Sequence, residues 1–253
     1  MAIESVMKQL RGKRLCLFLD IDGTLLEFAA HPDAVYVPPQ LVADLRTAYD
    51  IFEGAIAFVS GRPVRQIDAL FHPLRFSAAG VHGAEIRLSP DGQIMQTKDA
   101  GLSQELWLDV MRIVQLFPGT LAENKTFGYA VHYRNAPQFG PSLATEIERL
   151  VDAARDSTLS ILHGHGVVEI KKASVEKGWA IEVLMQQQSF AGRTPIFVGD
   201  DVTDVPAFAK ALELDGFAYS VGHSRPELSG SFENPMEVRA WLASLVHTAE
   251  ADH

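Results

Sequence analysis

The chain has 253 residues, 47% of them hydrophobic, enough for one big domain or a domain carrying a sizeable insertion. Its formal net charge of −10 disfavours nucleic acid and anionic lipid as partners, since both are bound through dense positive patches, and an anionic substrate would need local lysine, arginine or metal. No stretch approaches the roughly eighteen apolar residues of a membrane span. The basic start of the chain (Lys8, Arg11, Lys13, Arg14) lacks the apolar core of a signal peptide, so a cytoplasmic protein is expected.

In chain order, the first element is an apolar strand over 15–19 that stops at Asp20-Ile21-Asp22-Gly23-Thr24. The single cysteine, Cys16, sits inside this strand and reads as a small core residue rather than a nucleophile. A helix over 39–52 leads to a strand over 55–59, which runs into Ser60-Gly61-Arg62 and a helix over 65–71. From about 87 to 173 the texture changes to strands over 126–133 and 167–171 with helices over 104–116 and 141–155. This block reads as an α+β insertion. Asn124-Lys125-Thr126 matches a glycosylation acceptor, a match without meaning where no secretory signal precedes it. A helix over 177–188 opens with Lys177-Gly178, a strand over 196–198 ends at Gly199-Asp200-Asp201, and a short helix over 236–246 closes the chain. The alternation outside the insertion is that of a doubly wound α/β core, formed by 1–86 and 174–253.

Two buried parallel strands that each end in paired aspartates carry the chemistry. Open α/β sheets build their sites beyond the carboxyl ends of such strands, so both acidic pairs are expected in one crevice. Converging carboxylates repel one another unless a hard cation sits among them, and Mg²⁺ takes one or two carboxylates together with water and phosphate oxygens. The expectation is an Mg²⁺ site for phosphoryl chemistry. Asp-Gly alone is an ordinary turn, and a calcium loop fails on spacing, with His31 or Glu27 at obligatory positions. Ser60 at a strand end and Lys177 at a helix start could hold or neutralise a phosphate, although Ser-Gly is also a common turn and a lone lysine is often only solvated.

Asp20-Ile21-Asp22-Gly23-Thr24-Leu25, Ser60-Gly61-Arg62, Lys177-Gly178-Trp179-Ala180 and Gly199-Asp200-Asp201-Val202-Thr203-Asp204 resemble the four ordered motifs of the haloacid dehalogenase-like (HAD) phosphatases. Gly80-Val81-His82-Gly83-Ala84-Glu85, His132-Tyr133-Arg134 and Glu169-Ile170-Lys171 are similar to sequences of trehalose-6-phosphate phosphatases within that superfamily. The resemblance spans roughly 15–220. It implies a Rossmann-like HAD core with a mobile cap over 87–173 and Mg²⁺-dependent hydrolysis of trehalose 6-phosphate through an aspartyl-phosphate. Asp20 would be the nucleophile and Asp22 the acid and base, a role that asks for a pKa raised by neighbouring carboxylates. Mg²⁺ would be held by Asp20, Asp200 and the backbone carbonyl of Asp22, with Asp201 or Asp204 acting through water. Ser60 and Lys177 would complete the phosphate cradle.

Sugar recognition would fall to Glu123 with Lys125, His132 with Arg134, and Glu169 with Lys171, since side chains two apart on a strand share a face. Each pair also reads as ordinary cross-strand ion pairing on a solvated face. Arg62, His82 and Glu85 would join from the core. The chain departs from the family where Val205 replaces a glutamate and Lys172 a proline, changes that bear on cap closure or sugar preference. With no synthase domain in the chain, a separate trehalose-6-phosphate synthase would supply the substrate, and a monomer is expected. Three readings stay open beside this one: a phosphatase for sucrose phosphate or mannosyl-phosphoglycerate, a phosphotransferase or mutase, and a non-catalytic sugar-phosphate sensor. The mutase is disfavoured because Arg134 is the one arginine on the proposed cap strands.

Overall fold

The computed structural model describes residues 3–10, 12–28, 35–97, 101–125, 127–164 and 166–251. Arg11, His31 and Thr126, the expected first residue of a cap strand, lie outside them. The chain runs α1 (Ile3–Leu10), β1 (Leu15–Leu19), α2 (Pro39–Ile51), β2 (Ile56–Val59), α3 (Val64–Leu70), β3 (Ser77–Gly80), β4 (Glu85–Arg87) and β5 (Met95–Gln96). It continues through α4 (Gln104–Gln115), β6 (Leu121–Asn124), β7 (Gly128–His132), α5 (Gly140–Ala154), β8 (Leu159–Gly164) and β9 (Val167–Lys172). The last part is α6 (Lys177–Met185), β10 (Thr194–Gly199), α7 (Val205–Glu213), β11 (Phe217–Val221), β12 (Gly230–Phe232) and α8 (Pro235–Ala251).

The chain forms two compact units, Met1–Met95 with Glu176–His253, and Gln96–Val175. In the first, an eight-stranded sheet has the order β12-β11-β10-β1-β2-β3-β4-β5. The six strands from β12 to β3 are parallel, with Leu17 of β1 facing Ile196 on one side and Ile56 on the other. β4 then turns back antiparallel on β3, pairing Ala79 with Ile86. That pairing draws the segment after residue 86 into the sheet unit, so the first junction falls at Met95 rather than at 86.

Every residue of β1 is buried, which is why its sequence is a continuous apolar run. Cys16 lies there in contact with Met185, its Sγ 3.5 Å from Sδ, and burial pushes its thiol up to about 12, which leaves it inert. Helix α6 is buried on several sides and stops at Met185, short of the expected 188. The amides of Gln186 and Gln187 donate to the carbonyls of Val183 and Leu184, tightening the last turn so that Phe190 can enter the core. Among the described residues no helix is long and apolar enough to cross a membrane.

The second unit is an antiparallel sheet of order β6-β7-β9-β8. One face carries Tyr129, Val131, Val168 and Ile170, which pack with Leu106 and Val110 of α4 and with Leu143 and Ile147 of α5. α4 starts where the Ser103 hydroxyl accepts from the Leu106 amide at 3.3 Å, an N-cap made by the residue type that favours it. The register places Glu123, Ala130 and Glu169 opposite one another, and likewise His132 and Val167, so these share the other face.

Candidate active site

Asp20 follows β1 directly, and its amide donates to the carbonyl of Val198 on the neighbouring β10, fixing the backbone beside the strand that leads to Asp200. The Asp20 carboxylate is buried and binds Lys177 Nζ through Oδ1 at 2.9 Å. Lys177, the first residue of α6, also binds Asp204 Oδ1 at 2.6 Å. The other Asp204 oxygen accepts the amides of Asp200 at 2.9 Å and Asp201 at 3.0 Å, so this buried carboxylate braces the loop after β10. Asp200 Oδ1 in turn accepts the Thr24 hydroxyl at 3.0 Å. Gly23 sits beneath that contact with φ +79°. A β-carbon there would collide with the Asp200 carboxylate, so glycine is required both by conformation and by space.

Burial dominates the electrostatics. It raises Asp20 well above the ordinary carboxylate value; Lys177 opposes the shift, and the charges of Asp204 and Asp200 add to it. Burial, with the charge of Asp204, pushes Asp200 up to about 7. For Lys177 burial works against the ammonium, but Asp20 and Asp204 outweigh it and leave the group above its ordinary value. Asp20, Asp200 and Asp204 each offer an oxygen within 4.8 Å of the others. Clustered hard oxygens with too little positive charge among them suit a divalent cation such as Mg²⁺. Asp201 stands apart from this cluster: it is exposed, and its Oδ1 caps the turn Val202–Asp204 by accepting the Val202 amide at 2.6 Å.

Asp22 has a different neighbour from the carboxylates anticipated for it. Arg62 grips it in a fork, Nε to Oδ2 at 2.6 Å and Nη2 to Oδ1 at 2.7 Å. Ser60, at the end of β2, is buried, and its hydroxyl accepts the Arg62 amide at 3.2 Å. Glu85 Oε2 accepts the Val64 amide at 2.9 Å, and the His82 amide donates to the Ser60 carbonyl at 3.0 Å. The segments 60–64 and 80–85 are thus tied together at the carboxyl ends of β2 and β3.

In the second unit His132 and Lys125 each pair with a carboxylate on another strand rather than with the residue two positions away. His132 Nε2 meets Glu123 Oε2 at 2.7 Å, and Lys125 Nζ meets Glu169 Oε2 at 3.0 Å. Glu169 is buried, and a β-carbon at Gly128 would stand 2.7 Å from its Oε1. Lys171 Nζ donates to the Val175 carbonyl, and the stem of Arg134 lies over Gly166.

A family model described as trehalose-phosphatase matches residues 18–232, a span that holds every one of these groups. The chain belongs to the trehalose-phosphatase family. It is 37% identical over 226 residues to trehalose-6-phosphate phosphatase of Escherichia coli (strain K12), covering 89% of this chain and 84% of that protein. It is 39% identical over 234 residues to a probable trehalose-phosphate phosphatase of Sinorhizobium fredii, covering 90% and 86%. Its fold is similar to the C-terminal domain of C. albicans trehalose-6-phosphate phosphatase, with a TM-score of 0.85 at 18% identity over 98% and 97% of the two chains. A Bacteroides thetaiotaomicron phosphatase of the HAD superfamily shares the fold at a TM-score of 0.64 and 16% identity, covering 94% and 97%.

For this member of the trehalose-phosphatase family, some residues that shape the site escaped the sequence reading. Thr24 was visible as part of a motif, but nothing local shows that its hydroxyl reaches Asp200. Arg239 of α8 donates to the Leu25 carbonyl at 2.8 Å and to Glu27 Oε1 at 2.8 Å, steadying the loop after Asp20. No sequence signal marks a partner 212 residues away. Gly128 reads as an ordinary strand glycine until Glu169 is seen against it.

Proposed function

We infer that this protein is a phosphoric monoester hydrolase that converts trehalose 6-phosphate to trehalose and inorganic phosphate. The observation that carries the reading is the buried Asp20, held by Lys177 beside Asp200, in a chain of the trehalose-phosphatase family. Asp20 attacks phosphorus, the bond to the sugar oxygen breaks, and that oxygen takes a proton from Asp22. Water then attacks the aspartyl-phosphate and gives a proton to Asp22. The bond from phosphorus to Asp20 breaks, and phosphate leaves.

Lys177 orients the nucleophile through Oδ1 and presents positive charge to the phosphoryl oxygens. Ser60 borders the phosphate. Asp20, Asp200 and the backbone carbonyl of Asp22 would hold Mg²⁺, which would offset charge between nucleophile and phosphate. Asp204, with both oxygens engaged, and Asp201, a capping residue, would reach the ion only through water. The unit Gln96–Val175 serves as the cap that selects the sugar, through Glu123, Lys125, His132, Arg134, Glu169 and Lys171. The ion-paired, polar face of its sheet supports this role. The enzyme acts as a cytoplasmic monomer on substrate made by a separate trehalose-6-phosphate synthase.

The deciding experiment is phosphate release from a panel of sugar phosphates, with Mg²⁺ and with chelator, using Asp20→Asn as the blank. Preference for trehalose 6-phosphate that requires Mg²⁺ is expected. Activity spread over sucrose phosphate or mannosyl-phosphoglycerate would overturn the substrate, and silence on every phosphate would overturn the enzyme.

A further inference from the structure

We propose that Arg62 is the positioning residue for Asp22, acting through that carboxylate rather than by touching the sugar; this rests on the phosphatase reading, which needs Asp22 for proton transfer. Both guanidinium contacts are short and parallel, and the Arg62 side chain is only 10% exposed. A planar fork of this kind fixes the orientation of a carboxylate as well as its location, which a lysine cannot do. Each carboxylate oxygen keeps a second lone-pair direction, so Asp22 can still pass a proton while the fork is closed.

The backbone around Arg62 is built to keep it still. Its amide is held by the Ser60 hydroxyl, and its carbonyl accepts the Val81 amide at 3.1 Å. Behind it, a β-carbon at Gly80 would lie 2.7 Å from the Arg62 carbonyl oxygen, and one at Gly61 would lie 2.8 Å from the His82 ring. Val81 and His82 both adopt the left-handed region, with φ of 48° and 56°, an uncommon conformation for a β-branched residue and one held only where the surroundings over-determine it. Glu85 completes the buttress at the Val64 amide. His82 and Glu85 therefore support Arg62, Arg62 orients Asp22, and Asp22 meets first the leaving oxygen and then the attacking water.

The test uses Arg62→Lys and Arg62→Ala in the full chain, with p-nitrophenyl phosphate and trehalose 6-phosphate as substrates and melting temperature as the check on folding. p-Nitrophenolate leaves without a proton, so both variants should release it in a burst of about one per site and then turn over slowly. Steady-state kcat should fall on both substrates by up to about a hundredfold, the loss that follows when a reacting group is misplaced by about 1 Å. KM for the sugar phosphate should stay near wild type, and added guanidinium should restore part of the Arg62→Ala rate. In the Asp22→Asn background, Arg62→Ala should cost nothing further. Raised KM on the sugar phosphate with normal p-nitrophenyl phosphate turnover would overturn the proposal and make Arg62 a sugar contact. Losses that add to Asp22→Asn would overturn it equally. If the wild-type protein hydrolyses p-nitrophenyl phosphate but not trehalose 6-phosphate, the substrate reading fails while the aryl phosphate still decides the role of Arg62.

Discussion

The two units handle charge in opposite ways. In the sheet unit, Asp20 and Asp204 are buried just beyond strands that are apolar on both faces, Lys177 is buried between them, and burial is what raises Asp20 above the ordinary carboxylate value. In the other unit, one sheet face is given to the helices and the remaining face carries Glu123 with His132 and Lys125 with Glu169. A parallel sheet covered by helices leaves polar groups room only at its ends, so chemistry concentrates there and each group is fixed by several others. A single-sided antiparallel sheet offers a whole polar face. Substitutions should therefore be severe in the first unit and graded in the second.

The largest expected effect is that of Asp20→Asn, which should reduce phosphate release to background while the melting temperature holds, because the lost charge was disfavoured by burial. Activity near wild type would remove Asp20 as nucleophile. Next is Gly23→Ala. It forces a side chain into a left-handed position at a cost of about 1–2 kcal/mol before the clash with Asp200 is counted, so both stability and turnover should fall. A denaturant titration showing unchanged stability would break this account of the turn.

The acidic cluster also makes a pH prediction. Asp200 is pushed up to about 7 from an ordinary 3.8, so the folded state binds its proton more tightly than the unfolded state does. Its contribution to stability is full below the ordinary value and is lost as pH rises through the folded value. Melting temperature of the metal-free protein should thus decline from about pH 4 to about pH 7, and Mg²⁺ should restore it at the upper end. A flat profile that ignores Mg²⁺ would dissolve the contrast between the units.

The second unit sharpens the comparison by containing both a buried and an exposed pair. Lys125→Met leaves Glu169, 5% exposed at its side chain, without its cation, and should cost about 1–3 kcal/mol. It should also weaken turnover of the sugar phosphate more than of p-nitrophenyl phosphate. Glu123→Gln removes a largely exposed partner of His132 and should cost less than about 1 kcal/mol. Equal costs in parallel thermal melts would mean that burial does not separate the two pairs.

How much of this was readable in advance follows from what makes each element form. β1 and β10 were legible because strands buried on both faces must be apolar throughout, and the aspartates after them were legible because such strands open onto a site. β3 was missed: Ser77-Ala78-Ala79-Gly80 lacks branched and aromatic residues, and it is a strand only because β2 and β4 pair with it on either side. The polar residues of β6, β7 and β9 were legible by alternation. Their partners were not, since alternation tells which residues share a face and register decides which of them meet.

By itself, then, the sequence determined the alternation of elements, the inserted α+β block and the four ordered motifs, because local hydrophobic runs and turn residues act within a few positions of themselves. Only the tertiary structure decided that Arg62 grips Asp22, that Lys177 spans Asp20 and Asp204, and that Thr24 reaches Asp200 across 176 residues. Those contacts depend on charges and hydrogen bonds brought together in space, and no local pattern in the chain encodes such a distance.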